Sequence, residues 1–140
     1  MARVLVVDDD PTIRQLLTIA FSMDGHTVET LADGREVLAT LRVSAERMIV
    51  FMDIMMPYVD GLAVCHQLQD EPELLARHAV VVMTAGLGSF EPFPSFIRDA
   101  LGKPFHLERA LALVERFDAE SLAPHSAAAR DLEAREARAV

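Results

Sequence analysis

Five side chains in this sequence have types and positions that suit chemistry: Asp8, Asp9, Asp53, Thr84 and Lys103. Asp53 follows the unbroken apolar run Met48-Ile49-Val50-Phe51-Met52, which reads as a strand buried on both faces. An ionisable carboxylate has no place in such a core, so Asp53 is expected at the strand's exit. Asp8 and Asp9 end a second apolar run, Thr84 ends the valine-rich run Ala79 to Met83, and Lys103 follows a weaker one. In open parallel α/β sheets, ligands and chemistry collect at the carboxyl edge, where adjacent strand exits would bring all five together. Three carboxylates that close repel one another and raise their pKa values unless a cation is present. A hard divalent ion bound through oxygen answers that repulsion, and Mg²⁺ fits best, because it takes one or two carboxylates plus water and phosphate. Lys103 is the only lysine beside twelve arginines, which suggests a site that needs a compact point charge.

The elements that must position these groups alternate along the chain. Arg3 to Val7 reads as a strand. Asp10-Pro11 carries the cap and first-turn signature of a helix, with Ile13, Leu16, Leu17, Ala20 and Phe21 at helical spacing. Gly25 closes that helix, Thr27 to Leu31 reads as a second strand, and Asp33-Gly34 turns into a helix with Val37, Leu38 and Leu41 inward. After Asp53, Pro57 ends regular structure and Asp60-Gly61 turns into a helix through about Asp70, ended by Pro72. Leu107, Ala110, Leu111, Val114 and Phe117 mark a last amphipathic helix. Strand and helix alternating in this way imply an α/β fold, a parallel sheet with helices on both faces. From Ser121 the composition shifts to Ala, Arg and Glu, so residues 1–120 read as the domain and 121–140 as a tail that buries little.

Composition excludes several classes. The length of 140 residues is that of one domain. A single cysteine, Cys65, allows no internal disulfide and reads as a small buried hydrophobe. A net charge of −9 and a pI near 4.9 oppose direct nucleic-acid binding. No apolar run reaches membrane-spanning length and no cleavable signal pattern appears, so the expected location is the cytoplasm. The five histidines show no metal-ligand spacing and are expected at the surface or at helix ends, while Met52, Met55 and Met56 read as sheet and loop packing.

The series Val-Val-Asp8-Asp9, Asp53-Ile-Met-Met-Pro57-x-x-Asp60-Gly61, Thr84-Ala85 and Lys103-Pro104-Phe105 resembles the receiver domain of two-component response regulators. The resemblance covers nearly everything up to Phe117, and four motifs in order at strand ends are far more specific than any one of them. It implies a doubly wound, flavodoxin-like sheet of five parallel strands in the order 2-1-3-4-5, with five surrounding helices. It implies that Asp53 accepts a phosphoryl group from a sensor histidine kinase or a histidine phosphotransfer protein. By the same resemblance, Asp9 and Asp53 would bind Mg²⁺ through their carboxylates, Met55 through its main-chain carbonyl and Asp8 partly through water. Thr84 and Lys103 would hold phosphoryl oxygens. The chain would be a phosphoacceptor signalling domain of the stand-alone, chemotaxis-regulator type, too short for a DNA-binding output domain and acting through a downstream protein. It would not be an enzyme beyond assisting its own phosphorylation and dephosphorylation.

Two other readings compete. Asp8-x-Asp10-x-Thr12 after a strand also resembles the nucleophile motif of haloacid-dehalogenase-type phosphohydrolases, but that reading lacks a later acidic pair and leaves Asp53 unexplained. A receiver-like module that works without phosphorylation is the other, and the complete set of five site residues argues against it. The sequence also departs from the receiver pattern. Ala100 stands where an aromatic switch residue is usual, and Met55 and Gly86 replace side chains that help to position attacking water, which implies slow loss of the phosphoryl group. Gly86, Gly88, Pro92 and Pro94 oppose a regular fourth helix before Ser95, so that helix is expected to be short or irregular. Phe90, Phe93 and Phe96 then have no helical stripe to join. They are expected to fold onto the sheet or to face a partner, with phosphorylation ordering the segment.

Overall fold

The computed structural model of this protein describes residues 1–85 and 94–122. Strands β1 (Arg3–Val7), β2 (Thr27–Leu31), β3 (Met48–Asp53), β4 (Ala79–Thr84) and β5 (Ile97–Gly102) form one sheet in the order β2-β1-β3-β4-β5. Every pairing is parallel. The order matches the expectation, and the burial pattern gives its physical reason. β3 and β4 are buried at every position, whereas the edge strand β2 is exposed or half-buried throughout. An interior parallel strand is covered on both faces and so needs a continuous apolar run.

Helices α1 (Pro11–Met23), α2 (Val37–Val43), α3 (Gly61–Gln69), α4 (Pro72–Arg77) and α5 (Leu107–Leu122) supply that cover. Alternate strand residues divide the core in two. Val4, Val6, Ile49, Phe51 and Val81 pack with Leu17 and Phe21 of α1 and with Ala110, Val114 and Phe117 of α5. Leu5, Val7, Val50, Met52 and Val82 face α2, α3 and α4 through Leu41, Val64, Leu68 and Leu74. Cys65 lies buried in that second layer, as expected, and burial pushes its thiol up to about 11. This leaves it protonated and inert.

The structure corrects the sequence reading in two places, at Pro72 and Met55. Pro72 does not simply stop the preceding helix: α3 ends at Gln69, and Pro72 opens the separate short helix α4. Proline suits a first helical position because its missing N–H would have no partner there anyway. His78 does stand at a helix end, as expected, as the C-cap residue of α4, and it is buried there. It is tolerated because both ring nitrogens reach main-chain partners, Met48 N at 2.9 Å and Leu41 O at 3.1 Å. Met55 is 64% exposed, so its side chain does not pack, although Met52 is buried and Met56 joins the core.

Between β4 and β5 the described residues Pro94 to Phe96 form a turn closed by Ile97 N–H to Pro94 O at 3.0 Å, not a helix. Phe96 packs partly against the second core layer. The expectations for Gly86, Gly88, Phe90, Pro92 and Phe93 lie outside the described residues, as does the tail from residue 123 onward. α5 continues to Leu122, two residues beyond the expected boundary.

Candidate functional site

The site is built at the carboxyl edge from strand ends upward. Asp8 directly follows β1, and its N–H extends the ladder to β2 by donating to Leu31 O at 3.1 Å. That pairing turns the Asp8 carboxylate inward and buries it completely. Asp8 Oδ1 accepts from Asp10 N at 2.9 Å and Oδ2 accepts from Lys103 Nζ at 2.7 Å. Arg14, one turn into α1, donates to the Asp8 carbonyl at 2.7 Å. Asp10 caps α1 by accepting from Thr12 N at 2.8 Å, ahead of Pro11, so the acidic triplet divides into a buried anchor, an exposed Asp9 and a cap.

Asp53 is the last residue of β3 and only 6% exposed. Its Oδ1 accepts from Met55 N at 3.2 Å, and its Oδ2 lies 3.3 Å from Lys103 Nζ. Gly61 closes the loop that follows, its N–H donating to Ile54 O at 2.9 Å. A Cβ there would lie 2.4 Å from the Asp53 carbonyl oxygen and 2.8 Å from Ile54 Cα, so only glycine lets α3 start this close to the site. Asp60 caps α3 through Ala63 N at 2.8 Å. Thr84 ends β4 fully buried, and its carbonyl accepts from Lys103 N at 2.6 Å. That bond fixes the start of the Lys103 loop, where the Lys103-Pro104 peptide is cis.

The electrostatics follow from this crowding. Burial first, and then the neighbouring Asp8 charge, push the Asp53 carboxyl up to about 6 against the opposing pull of Lys103 and the Met55 N–H. Burial also works against the Lys103 ammonium, but its hydrogen bond to Asp8 and the charges of Asp8 and Asp53 outweigh that and raise its pKa. Carboxylate oxygens of Asp8, Asp9 and Asp53 all lie within 4.8 Å of one another. One ammonium does not neutralise three carboxylates, and a donor set made of oxygens alone suits a hard divalent cation. The residues present therefore fit Mg²⁺.

The structure brings Asp8, Asp9, Asp53 and Lys103 into one cluster and sets Thr84 at the end of the adjoining strand, level with Gly102 of β5. Sequence reasoning missed the support beside the acceptor loop. Gly34 donates to Val59 O at 3.0 Å, and the Arg35 guanidinium lies 4.0 Å from the centre of the Tyr58 ring. The only signal was Asp33-Gly34, which reads as a turn and reveals no partner.

Comparison with known proteins agrees with this geometry. Residues 4–115 match the sequence profile of the response regulator receiver domain. The chain is 41% identical over 116 residues to the response regulator MprA of Mycolicibacterium vanbaalenii, a match covering 79% of this chain and 47% of that protein. It is 38% identical over 118 residues to the DNA-binding dual master transcriptional regulator RpaA of Synechocystis, covering 81% and 48%. The chain thus spans about half the length of the curated relatives it matches. Among solved structures it is similar to the response regulator TrrA of Thermotoga maritima in complex with Mg(2+)-BeF, with a TM-score of 0.69, 26% identity and coverage of 83% and 98%. It is also similar to chemotaxis protein CheY4 of Vibrio cholerae, with a TM-score of 0.66, 28% identity and the same coverage.

Proposed function

We infer what this chain does from the family it belongs to, the response regulator receiver domains: Asp53 accepts a phosphoryl group from a phosphohistidine, and another protein reads the resulting change. The observation that carries this reading is the Asp53 carboxylate itself, buried at a strand exit, 3.3 Å from the only lysine and clustered with two further carboxylates.

Phosphoryl transfer leaves a protein mainly positioning and charge neutralisation to do. An Asp53 oxygen forms the new bond to phosphorus while the bond from phosphorus to the imidazole nitrogen breaks, its electron pair leaving with the ring. Asp8, Asp9, Asp53 and the Met55 carbonyl would hold Mg²⁺, which when bound supplies positive charge to the transferring oxygens. That TrrA, a response regulator of similar fold, was solved in complex with Mg(2+)-BeF supports Mg²⁺ as the ion. The Lys103 ammonium and the Thr84 hydroxyl take phosphoryl oxygens. Lys103 must then loosen its hold on Asp8 and Asp53, which couples phosphorylation to the loop after β5.

The donor is a sensor histidine kinase or a histidine phosphotransfer protein in the cytoplasm, and the reader is a downstream protein. A net charge of −9 supports a protein rather than a nucleic-acid backbone as this domain's direct contact. Among the described residues no helix is long and apolar enough to cross a membrane.

Mass spectrometry of the protein after treatment with acetyl phosphate and Mg²⁺ tests the reading. One phosphoryl adduct on Asp53 is expected, absent from Asp53→Asn and absent when Mg²⁺ is chelated. An adduct on Asp8 would support the phosphohydrolase-like alternative, and no adduct under any condition would leave only a binding module.

A further inference from the structure

The loop between Asp53 and Gly61 carries a strained residue that the site does not explain. Tyr58 has φ +66°, in the left-handed region where a bulky side chain is rarely found. It is 78% exposed, so core packing does not hold it there. Such strain persists only where the surroundings over-determine the backbone.

The surroundings here are the turn after β2. The Arg35 guanidinium stacks 4.0 Å from the Tyr58 ring centre. Asp33 in turn fixes Arg35, accepting from its Nε at 3.1 Å, its Nη2 at 2.9 Å and its main-chain N at 2.8 Å. Gly34, between them, donates to the Val59 carbonyl at 3.0 Å. A Cβ on Gly34 would lie 2.4 Å from that carbonyl oxygen and 2.6 Å from Val64 Cγ2, so the approach requires glycine. Two consecutive residues, Gly34 and the Arg35 that Asp33 holds, thus grip two consecutive loop residues, Val59 by its carbonyl and Tyr58 by its ring.

We propose that the Asp33-Gly34-Arg35 turn is a positioning brace for the acceptor loop. By clamping Tyr58 and Val59 it sets the loop path that presents the Met55 carbonyl and the Asp53 carboxylate to a divalent cation. This rests on the phosphoacceptor reading above. Because Gly61 N–H ties the far end of the loop to Ile54 O at 2.9 Å, the loop cannot drift as a whole. A relaxation of Tyr58 is taken up between Met55 and Val59, where the metal-facing carbonyl lies.

The test is Mg²⁺ titration by calorimetry of the wild type, Arg35→Ala, Tyr58→Gly and the double variant, with amide hydrogen exchange of the metal-free proteins. Arg35 is more than half exposed, so its removal leaves the fold intact. Losing an exposed cation–π contact predicts about two- to fivefold weaker Mg²⁺ binding in Arg35→Ala, with faster exchange from Met55 to Val59. Glycine adopts the left-handed conformation without strain, so Tyr58→Gly should bind as the wild type does. Adding Arg35→Ala to Tyr58→Gly should then change little. Asp33→Asn, which frees Arg35, should weaken binding in the same direction. Unchanged Mg²⁺ affinity in Arg35→Ala, or an equal loss with and without Tyr58, overturns the brace while leaving the acceptor site standing. A wild type that binds no Mg²⁺ overturns both.

Discussion

Asp53 sits where its charge is least welcome, and that misfit is the chemical content of the site. A carboxyl raised to about 6 by burial and by Asp8 is ionised at pH 7 only at the expense of the fold. Replacing it with asparagine removes one of three crowded charges while Lys103 keeps its 2.7 Å partner Asp8. Asp53→Asn should therefore be more stable than the wild type in EDTA at pH 7, by on the order of 1–3 kcal/mol for a shift of this size. Thermal melts would show it. A lower midpoint in the metal-free variant would mean that neither burial nor repulsion burdens the Asp53 charge.

At the scale of elements, the pole of the sheet opposite the acceptor site has a fastening of its own. His78, just before β4, accepts from the first residue of β3 through Nδ1, so its Nε2 must carry the proton that bonds Leu41 O in α2. Burial holds its pKa below the ordinary imidazole value, with Arg77 and Arg47 adding to the effect and the Leu41 carbonyl opposing it. The charges that act on the ring are those two arginines. Because the folded pKa is depressed, the neutral ring stabilises the fold above about pH 6.5, and that contribution is lost as the pH falls through the lower folded value. His78→Gln offers an acceptor and a donor but does not titrate. The stability difference between wild type and His78→Gln should therefore shift against the wild type between pH 7 and pH 5. A constant difference across that range would show that the ring stays neutral or that its partners do not depend on it. Amide exchange at Met48 should report the same opening.

At the scale of the whole molecule, the sheet order is what turns scattered motifs into a site. β1 and β3 are neighbours, so Asp8, Asp9 and Asp53 meet although more than forty residues separate them along the chain. A ligand that binds only the folded arrangement stabilises it by mass action. Millimolar Mg²⁺ should therefore raise the melting midpoint of the wild type, increasingly with concentration, and Asp9→Ala should abolish the shift. An equal shift in that variant would place the metal elsewhere.

The sequence alone determined the fold class and the five strands, and it singled out the candidate site residues. Interior parallel strands must be apolar throughout, so a polar residue that ends such a run declares itself as a strand exit. It also determined the cap at Asp10, because that signal acts within three residues. What lies further off in the chain was decided only by tertiary structure. The burial of His78 depends on Met48 and Leu41, each at least thirty residues away. The helix opened by Pro72 gains its inward Leu74 contact from a core layer shared with β3 and β4. The left-handed Tyr58 under Arg35 is a contact between two loops, and local sequence carries no record of which loops will meet. Periodicity and capping report how a residue relates to its own element, whereas hydrogen bonds and strain between elements exist only once the sheet has set their distances.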